Sequence, residues 1–211
     1  MTHEQKPRWR RAADAVPTHW IIVAVVALLV AASAAFGGLK DAPAQALDAL
    51  KPGQTHHGLR LDVAVTRAVL IDGFPGTDIA TDDGKRLLVV VAHVRNHWHS
   101  PVRPLALARH ADTIGVRGVP GVKNGSAPDY VAVLSDAAPS PDLQPGVPVD
   151  LTFIWNVEPS ALAAGDDLHL QLWDEDQHVN GDLLTGENFE QPHLVGSVTV
   201  PVTDVGAGSD G

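Results

Sequence analysis

Apolar and polar residues alternate along most of the chain after residue 55, and this spacing limits the possible folds more than any other feature. In residues 59–66, LRLDVAVT, every second residue from Leu59 to Val65 is apolar, as in a strand with one buried face. Turn-forming residues separate such stretches, and no amphipathic helix interrupts them. The sequence therefore predicts an all-β domain, an immunoglobulin-like antiparallel β-sandwich of seven to eight strands.

Single strands are predicted from the same pattern. Residues 86–96, RLLVVVAHVRN, begin apolar on both faces, which indicates a central strand. Two apolar stretches flank Asn124-Gly125, and this dipeptide is a strong hairpin signal. Residues 147–157 alternate with Leu, Phe and Trp on one face. The remaining strands are predicted within 167–174 and 193–202.

A run without any charged residue spans residues 20–39, WIIVAVVALLVAASAAFGGL. A helix of about 20 apolar residues crosses the ~30 Å hydrocarbon core of a bilayer. Basic residues dominate before this run, and acidic residues dominate after Lys40. Under the positive-inside rule, residues 1–19 lie in the cytoplasm and residues 40–211 lie outside it. We therefore expect a single-pass protein of the cell membrane, anchored through residues 20–39.

The same run also admits a cleaved signal peptide. The sequence ASA at 32–34 follows a basic segment and a short apolar stretch, which is the pattern of a cleavage site. No helix breaker precedes ASA, and apolar residues continue to Leu39, so we expect the uncleaved anchor. Both alternatives place the remaining chain outside the cytoplasm.

Charge and composition exclude several classes of protein. Residues 41–211 carry 10 Lys and Arg against 23 Asp and Glu, a net charge of −13. Such an acidic domain is unsuited to binding nucleic acid or anionic lipid. The chain has no cysteine, which removes disulfides, thiolate metal sites and a lipidated-cysteine anchor. The predicted organisation is a cytoplasmic basic tail 1–19, a transmembrane helix 20–39, a linker 40–55, a β-sandwich 56–203 and a disordered tail 204–211.

Two longer motifs, LLVVVAHVRNHWHSPV and LQPGVPVDLTFIWNVEP, carry a family resemblance. Together with the N-terminal anchor and the Pro-rich linker, they resemble the telokin-like, immunoglobulin-like domains of bacterial cell-surface proteins over roughly residues 55–202. This resemblance implies a β-sandwich outside the cytoplasm and transfers no catalytic residues. The chain departs from the family in lacking its frequent lipoprotein cysteine.

Histidines 93, 97 and 99 form the first candidate metal site, with His97 and His99 as its proposed ligands. Alternate residues of a strand share a face, and a His-x-His pair on one face is a known ligand geometry. Arg95 would oppose a bound cation, and Ser100-Pro101 ends the strand nearby. We therefore favour a solvated strand end over a metal site.

Residues 176–187, DQHVNGDLLTGE, form the second candidate, a calcium loop. They match the spacing of a twelve-residue calcium-binding loop in part. His178 breaks the pattern, and Asn-Gly is also an ordinary hairpin turn. No cofactor is predicted; if a metal does bind, calcium in this loop ranks above a metal at the histidines, and its ligands would be Asp176, Asn180, Asp182 and Glu187.

No catalytic signature occurs in the chain. The adjacent acids 174–176 would alternate between strand faces, so they do not converge on one substrate. We expect a non-catalytic interaction module that binds a partner protein or an envelope component. The alternative is an accessory subunit of a membrane transport, export or envelope-assembly complex, because the small residues of AASAAFGG allow close helix packing.

The predicted topology can be tested with reporter fusions. A reporter that is active only outside the cytoplasm, fused after residue 60, should give signal, because basic residues retain the N-terminus inside. The matched control is a reporter that is active only in the cytoplasm, fused at the same position, which should stay silent. The reverse result would overturn the orientation.

Overall fold

The computed structural model describes residues 22–23, 26, 47–74, 77, 79, 81–104, 111–178, 188–189 and 192–206. The chain divides into two units, residues 1–45 and 46–211. Within the first unit, Ile22, Val23 and Val26 are helical and exposed, and the rest of the predicted transmembrane segment lies outside the described residues. No helix within the described part of the chain is long and apolar enough to cross a membrane.

The described part of the second unit forms eleven strands. They are β1 (Asp48–Leu50), β2 (His56–His57), β3 (Leu61–Ile71), β4 (Arg86–Asn96), β5 (Ile114–Arg117), β6 (Tyr130–Val133), β7 (Pro148–Val157), β8 (Asp167–Asp174), β9 (Gln177–His178), β10 (Asn188–Phe189) and β11 (His193–Gly206). Strands β1, β2, β9 and β10 are only two or three residues long. The seven longer strands agree with the predicted seven to eight.

The main sheet has the order β5-β8-β11-β3-β4-β7-β6, with β1 added beside β11 and β2 beside β3. A second, two-stranded sheet consists of β9 and β10. We call β1, β5, β8 and residues 193–201 of β11 half A, and we call β2, β3, β4, β6, β7 and residues 202–206 of β11 half B. Inward side chains of both halves, such as Trp155 of half B and Leu170 of half A, belong to one hydrophobic core. The main sheet is thus curled into a β-sandwich, and the all-β prediction is confirmed.

The purely antiparallel arrangement predicted from sequence is wrong for two strand pairs. Residues 193–201 of β11 pair antiparallel with β8, but residues 202–206 of the same strand pair in parallel with β3. Strand β1 also pairs in parallel with β11. The sheet is mixed because β11 leaves half A and continues into half B beside β3, which runs in the same direction as β11.

Most predicted strands occur where the alternation placed them. The predicted central strand 86–96 is β4, which lies between β3 and β7 and is buried on both faces over Leu87–Ala92. Strand β8 has the predicted bounds, 167–174. In β7, Leu151, Phe153 and Trp155 are buried as expected.

The hairpin predicted at Asn124-Gly125 is wrong. Strand β5 pairs with β8 and β6 pairs with β7, so the two strands lie at opposite ends of the sheet order. Gly125 has a φ of +69°, as a turn signal requires, but its amide donates to Val116 O and its carbonyl accepts from Ala111 N. The turn therefore folds back on β5 and does not join β5 to β6.

Both boundaries of the predicted sandwich need correction. Strand β1 lies inside the predicted linker 40–55, and Leu50 packs against the core. Strand β11 extends to Gly206, inside the predicted tail 204–211, of which residues 207–211 lie outside the described residues. These short segments have little alternation of their own and become strands because β11 and β3 offer free edges to them.

An ion-pair cluster, here called the Arg86 clamp, fixes the end of β11. Arg86 Nη1 and Nη2 donate to the two carboxylate oxygens of Asp204 at 2.8 and 2.6 Å, and Arg86 Nε donates to Asp72 at 2.6 Å. The hydrogen bonds from Arg86, followed by one from the Gly206 amide, lower the pKa of Asp204 to about 2. The clamp joins β11 to the start of β4 and the end of β3.

The Arg86 clamp should make the stability of the fold depend on pH. Since folding lowers the pKa of Asp204 from 3.8 to about 2, its carboxylate stabilises the fold above about pH 4 and loses this effect as the pH falls through 2. Asp204→Asn should therefore lower the Tm at pH 7, and the difference from wild type should shrink below pH 4. Asp142→Asn is the control. Asp142 pairs with Arg103, and both side chains are at least half exposed, so this substitution should lower the Tm at pH 7 by less than Asp204→Asn does. An equal Tm for Asp204→Asn and wild type at pH 7 would contradict the clamp.

Candidate functional site: the aromatic end of the sandwich

Asn96 organises the end of the sandwich at which β4 stops. Its side-chain amide is fully buried and donates to Ser100 O at 2.9 Å and to Leu143 O at 2.7 Å. Its side-chain oxygen accepts from Trp98 N at 2.8 Å. A buried amide that makes three such bonds fixes the turn after β4, because loss of any of them leaves a polar group unpaired. The turn carries Trp98 in a defined position.

Three rings and one guanidinium meet beside this turn. The Trp98 ring lies 4.8 Å from the His99 ring and 5.9 Å from the Phe189 ring, which it meets edge-on. Arg60 Cζ lies 4.3 Å above the centre of the Phe189 ring, within range of a cation–π contact. Arg60 also forms an ion pair with Glu175. We call Arg60, Trp98, His99, Glu175 and Phe189 the aromatic end cluster.

The chain before β3 is held against the end of β8 by Asp174. Its carboxylate accepts from Leu59 N at 2.8 Å and from Glu175 N at 2.9 Å. A Cβ on Gly58 would lie only 2.9 Å from the Asp174 carboxylate and from Leu61 O, so only glycine fits there. This contact brings Arg60 within reach of Glu175, 115 residues away along the chain.

The histidines predicted as metal ligands take different partners. His97 Nε2 donates to Gly58 O at 2.9 Å and lies 4.0 Å from an Asp62 carboxylate oxygen. That same oxygen lies 2.8 Å from His57 Nδ1. The His99 ring lies against the Trp98 ring at an angle of 38°. The structure thus groups His57 and His97 around Asp62, whereas His99 contacts Trp98.

Within the described residues, no group of three His, Asp or Glu side chains is arranged to hold a metal ion. His93, the first histidine of the motif, is exposed on β4 and pairs with Asp150 at 2.9 Å. Strand β4 ends at Asn96, so His97 and His99 lie in the segment that follows the strand.

The predicted calcium loop lies mostly outside the described residues. Three of its four predicted ligands, Asn180, Asp182 and Glu187, lie outside the described residues. Asp176 is exposed, and one of its oxygens lies 3.8 Å from His193 Nδ1. Strand β9 (Gln177–His178) pairs antiparallel with β10 (Asn188–Phe189). This pairing agrees with the alternative interpretation of the segment as a hairpin.

A cavity of about 20 Å³ lies beneath the aromatic end cluster, lined by residues that include His56, Arg60, Thr113, Trp173 and Asp174. This volume matches about one water molecule. His56 Nε2 is buried there, 4.0 Å from the Asp174 carboxylate. The cavity is too small for a ligand, so the partly exposed rings of the aromatic end cluster are the better candidate for binding.

Trp98, Trp155 and Trp173 differ in burial. Trp155 belongs to the core: it is 1% exposed, and its Nε1 donates to Ala127 O at 3.1 Å. Trp98 and Trp173 are half-buried. Arg60 and Phe189 were not predicted as site residues, because their contact joins segments far apart in sequence and neither segment carries a local signal for it.

No protein-family model matches the chain, and no curated protein matches it. Among solved structures, the chain is similar to an uncharacterized β-sandwich protein from Clostridium difficile 630. That similarity has a TM-score of 0.44 and 9% sequence identity, and it covers 76% of this chain and 97% of the other. Nothing about function follows from a likeness this distant.

Thermal melting tests the two predicted metal sites. If a divalent metal binds, millimolar calcium should raise the Tm by a few degrees, because binding at severalfold above Kd adds about 1 kcal/mol to the unfolding free energy. Asp176→Ala should abolish that shift. The histidine site predicts instead that micromolar zinc raises the Tm of the wild type and that His97→Ala, the matched variant, removes this shift. The ranking of the two sites would be reversed if zinc raised the Tm, His97→Ala removed that rise, and calcium left the Tm unchanged.

Proposed function

We propose that this chain is a non-catalytic binding module, anchored in the cell membrane by residues 20–39 and carrying its β-sandwich outside the cytoplasm. In this proposal the aromatic end cluster binds a partner protein or an envelope component. The observation that carries the proposal is the grouping of Trp98, Phe189 and Arg60 at one end of a well-packed scaffold.

The residue types and the rigidity of this end of the sandwich favour binding. Trp and Arg are the residues that most often dominate the energy of protein interfaces, particularly where neighbouring groups hold them in place. Here Asn96 fixes the Trp98 turn, and Glu175 fixes the Arg60 guanidinium. A side chain that is already ordered loses less entropy when a partner binds. Loops at the ends of a β-sandwich are also common binding surfaces.

The immunoglobulin-like assignment is part of the same proposal. Two sheet halves around one core and a buried tryptophan in a central strand are features of that class of sandwich. The telokin-like resemblance supports it through the motifs at 87–102 and 143–159. The anchor and its orientation are supported by the uncharged run and by the charges around it.

An accessory subunit of a membrane transport, export or envelope-assembly complex is the second candidate. In that case residues 20–39, with their small residues at AASAAFGG, would make the essential contact by packing against other helices. The two candidates differ in which part of the chain the partner recognises, and this difference can be measured.

The test is quantitative capture from native membranes with the detergent-solubilised full chain. We expect Trp98→Ala and Arg60→Gln each to reduce recovery of the specific partner at least about tenfold, as for hot-spot residues. Arg103→Gln is the matched control, because Arg103 is also ion-paired, to Asp142, but lies outside the aromatic end cluster. It should leave recovery unchanged.

A further variant separates the two candidates. In this variant an unrelated transmembrane helix replaces residues 20–39. The binding-module proposal predicts that this exchange preserves recovery of the partner. Recovery that depends on the native helix, and is unaffected by Trp98→Ala and Arg60→Gln, would contradict the proposal and favour the accessory subunit.

A further inference from the structure

A groove of about 340 Å³ lies on the outer face of half A, and its lining shares no residue with the aromatic end cluster. Its volume is at the lower end of the range for small-ligand sites. Leu170 and Val198, on the two central strands, have their side chains buried in the core, so the alternate residues of these strands face outward. The side chains that line the groove include Leu47, Arg117, His169, Gln171, Ser197 and Thr199.

Strand register explains why these side chains converge. Arg117 of β5 lies opposite His169 of β8, and His169 lies opposite Thr199 of β11. One residue pair further along, Gln171 lies opposite Ser197. Opposed residues on one face of a sheet have Cβ atoms about 5 Å apart. Three adjacent strands thus supply two rows of polar side chains to one surface.

Each polar side chain of the groove can donate a hydrogen bond, and one of them carries a permanent positive charge. The Arg117 guanidinium can only donate, whereas the Ser197 and Thr199 hydroxyls can donate or accept. His169 Nδ1 lies 3.0 Å from the Thr199 hydroxyl, so these two side chains orient each other. Among the described residues, no carboxylate lines the groove. In a domain with a net charge of −13, this surface is locally suited to a carboxylate.

Gln171 adds an amide that can adapt to a ligand. Its Oε1 is buried and has no hydrogen-bond partner among the described residues. Because Oε1 makes no such hydrogen bond, the amide can rotate toward a ligand without breaking one through this atom. Leu47, which is 43% exposed, provides an apolar wall beside these polar groups.

We propose that this groove binds a carboxylate-bearing sugar unit of an envelope polysaccharide. Arg117 pairs with the sugar carboxylate, His169, Gln171 and Ser197 hydrogen-bond to its hydroxyls, and Leu47 contacts the C–H face of the ring. This inference rests on the proposed function only in taking the sandwich to lie outside the cytoplasm. The groove shares no residue with the aromatic end cluster, so the proposal for one site can fail while the proposal for the other holds.

The chemistry of the groove favours this ligand over two others. Inorganic phosphate would use Arg117 but would leave the amide, the hydroxyl rows and the apolar wall largely without contacts. An acidic peptide gains most of its affinity for β-proteins by adding a strand at a sheet edge. Most of the groove lies on a sheet face, where β8 and β11 present side chains and have strand neighbours. A sugar acid matches both the cation and the hydroxyl-bonding groups.

The test is a titration of the full chain in detergent, followed by ligand-detected NMR. We expect sodium glucuronate to bind with a Kd of about 1 mM, as suits a ligand of this size. Glucose, which has the same ring without the carboxylate, should bind at least about tenfold more weakly. Arg117→Gln should weaken glucuronate binding about tenfold, because a charge-assisted pair is lost.

Control variants and probes complete the design. Arg95→Gln, at an exposed arginine of half B, should leave glucuronate binding unchanged, and both variants should keep the wild-type Tm. The proposal is overturned if glucuronate does not bind, or if Arg117→Gln binds it as wild type does. It is also overturned if inorganic phosphate or the dipeptide Ala-Ala binds as tightly as glucuronate. Trp98→Ala should not affect this titration, which separates it from the test of the aromatic end cluster.

Discussion

The structure depends on one strand that belongs to both halves of the sandwich. Strand β11 pairs with β8 over residues 193–201 and with β3 over residues 202–206, so its backbone hydrogen bonds connect the halves directly. Side chains along it, such as Val198, Val200 and Val202, are buried in the shared core. The Arg86 clamp then holds the final residues of β11 against β3 and β4. Separation of the halves would therefore break backbone pairing, core contacts and ion pairs together.

This closure also fixes the position of both candidate sites. The aromatic end cluster joins the start of β3 and the turn after β4 in half B to the end of β8 in half A. Its geometry is defined only when the two halves are held in register. The groove on half A depends on β11 in a second way, because Ser197 and Thr199 come from that strand and face residues of β8. Rigid placement of binding groups is what lowers the entropy cost of recognition.

Local sequence pattern predicted the strands whose burial is regular, such as β4, β7 and β8, because period-two alternation directly reflects one buried face or two. It did not predict the parallel pairing of β11 with β3, which depends on which edge is free once the other strands have paired. The Asn124-Gly125 dipeptide correctly indicated a turn, but it did not show that the strands before and after the turn pair with other strands and not with each other. For the site, the histidine motif and the polar turn after β4 were visible in the sequence. The contact between Arg60 and Phe189 was not, because it forms only when distant segments meet at one end of the sandwich.

Native-state hydrogen exchange of the full chain tests most directly whether β11 makes the halves one cooperative unit. Amides of β4 report on half B and amides of β8 report on half A, and the slowest amides of each strand exchange through the largest opening available to them. If β11 joins the halves, the two sets should exchange with the same opening free energy, within about 0.5 kcal/mol, and should lose protection together in denaturant. An opening free energy for β8 that is lower than that for β4 by 2 kcal/mol or more would show that half A opens alone and would contradict the account.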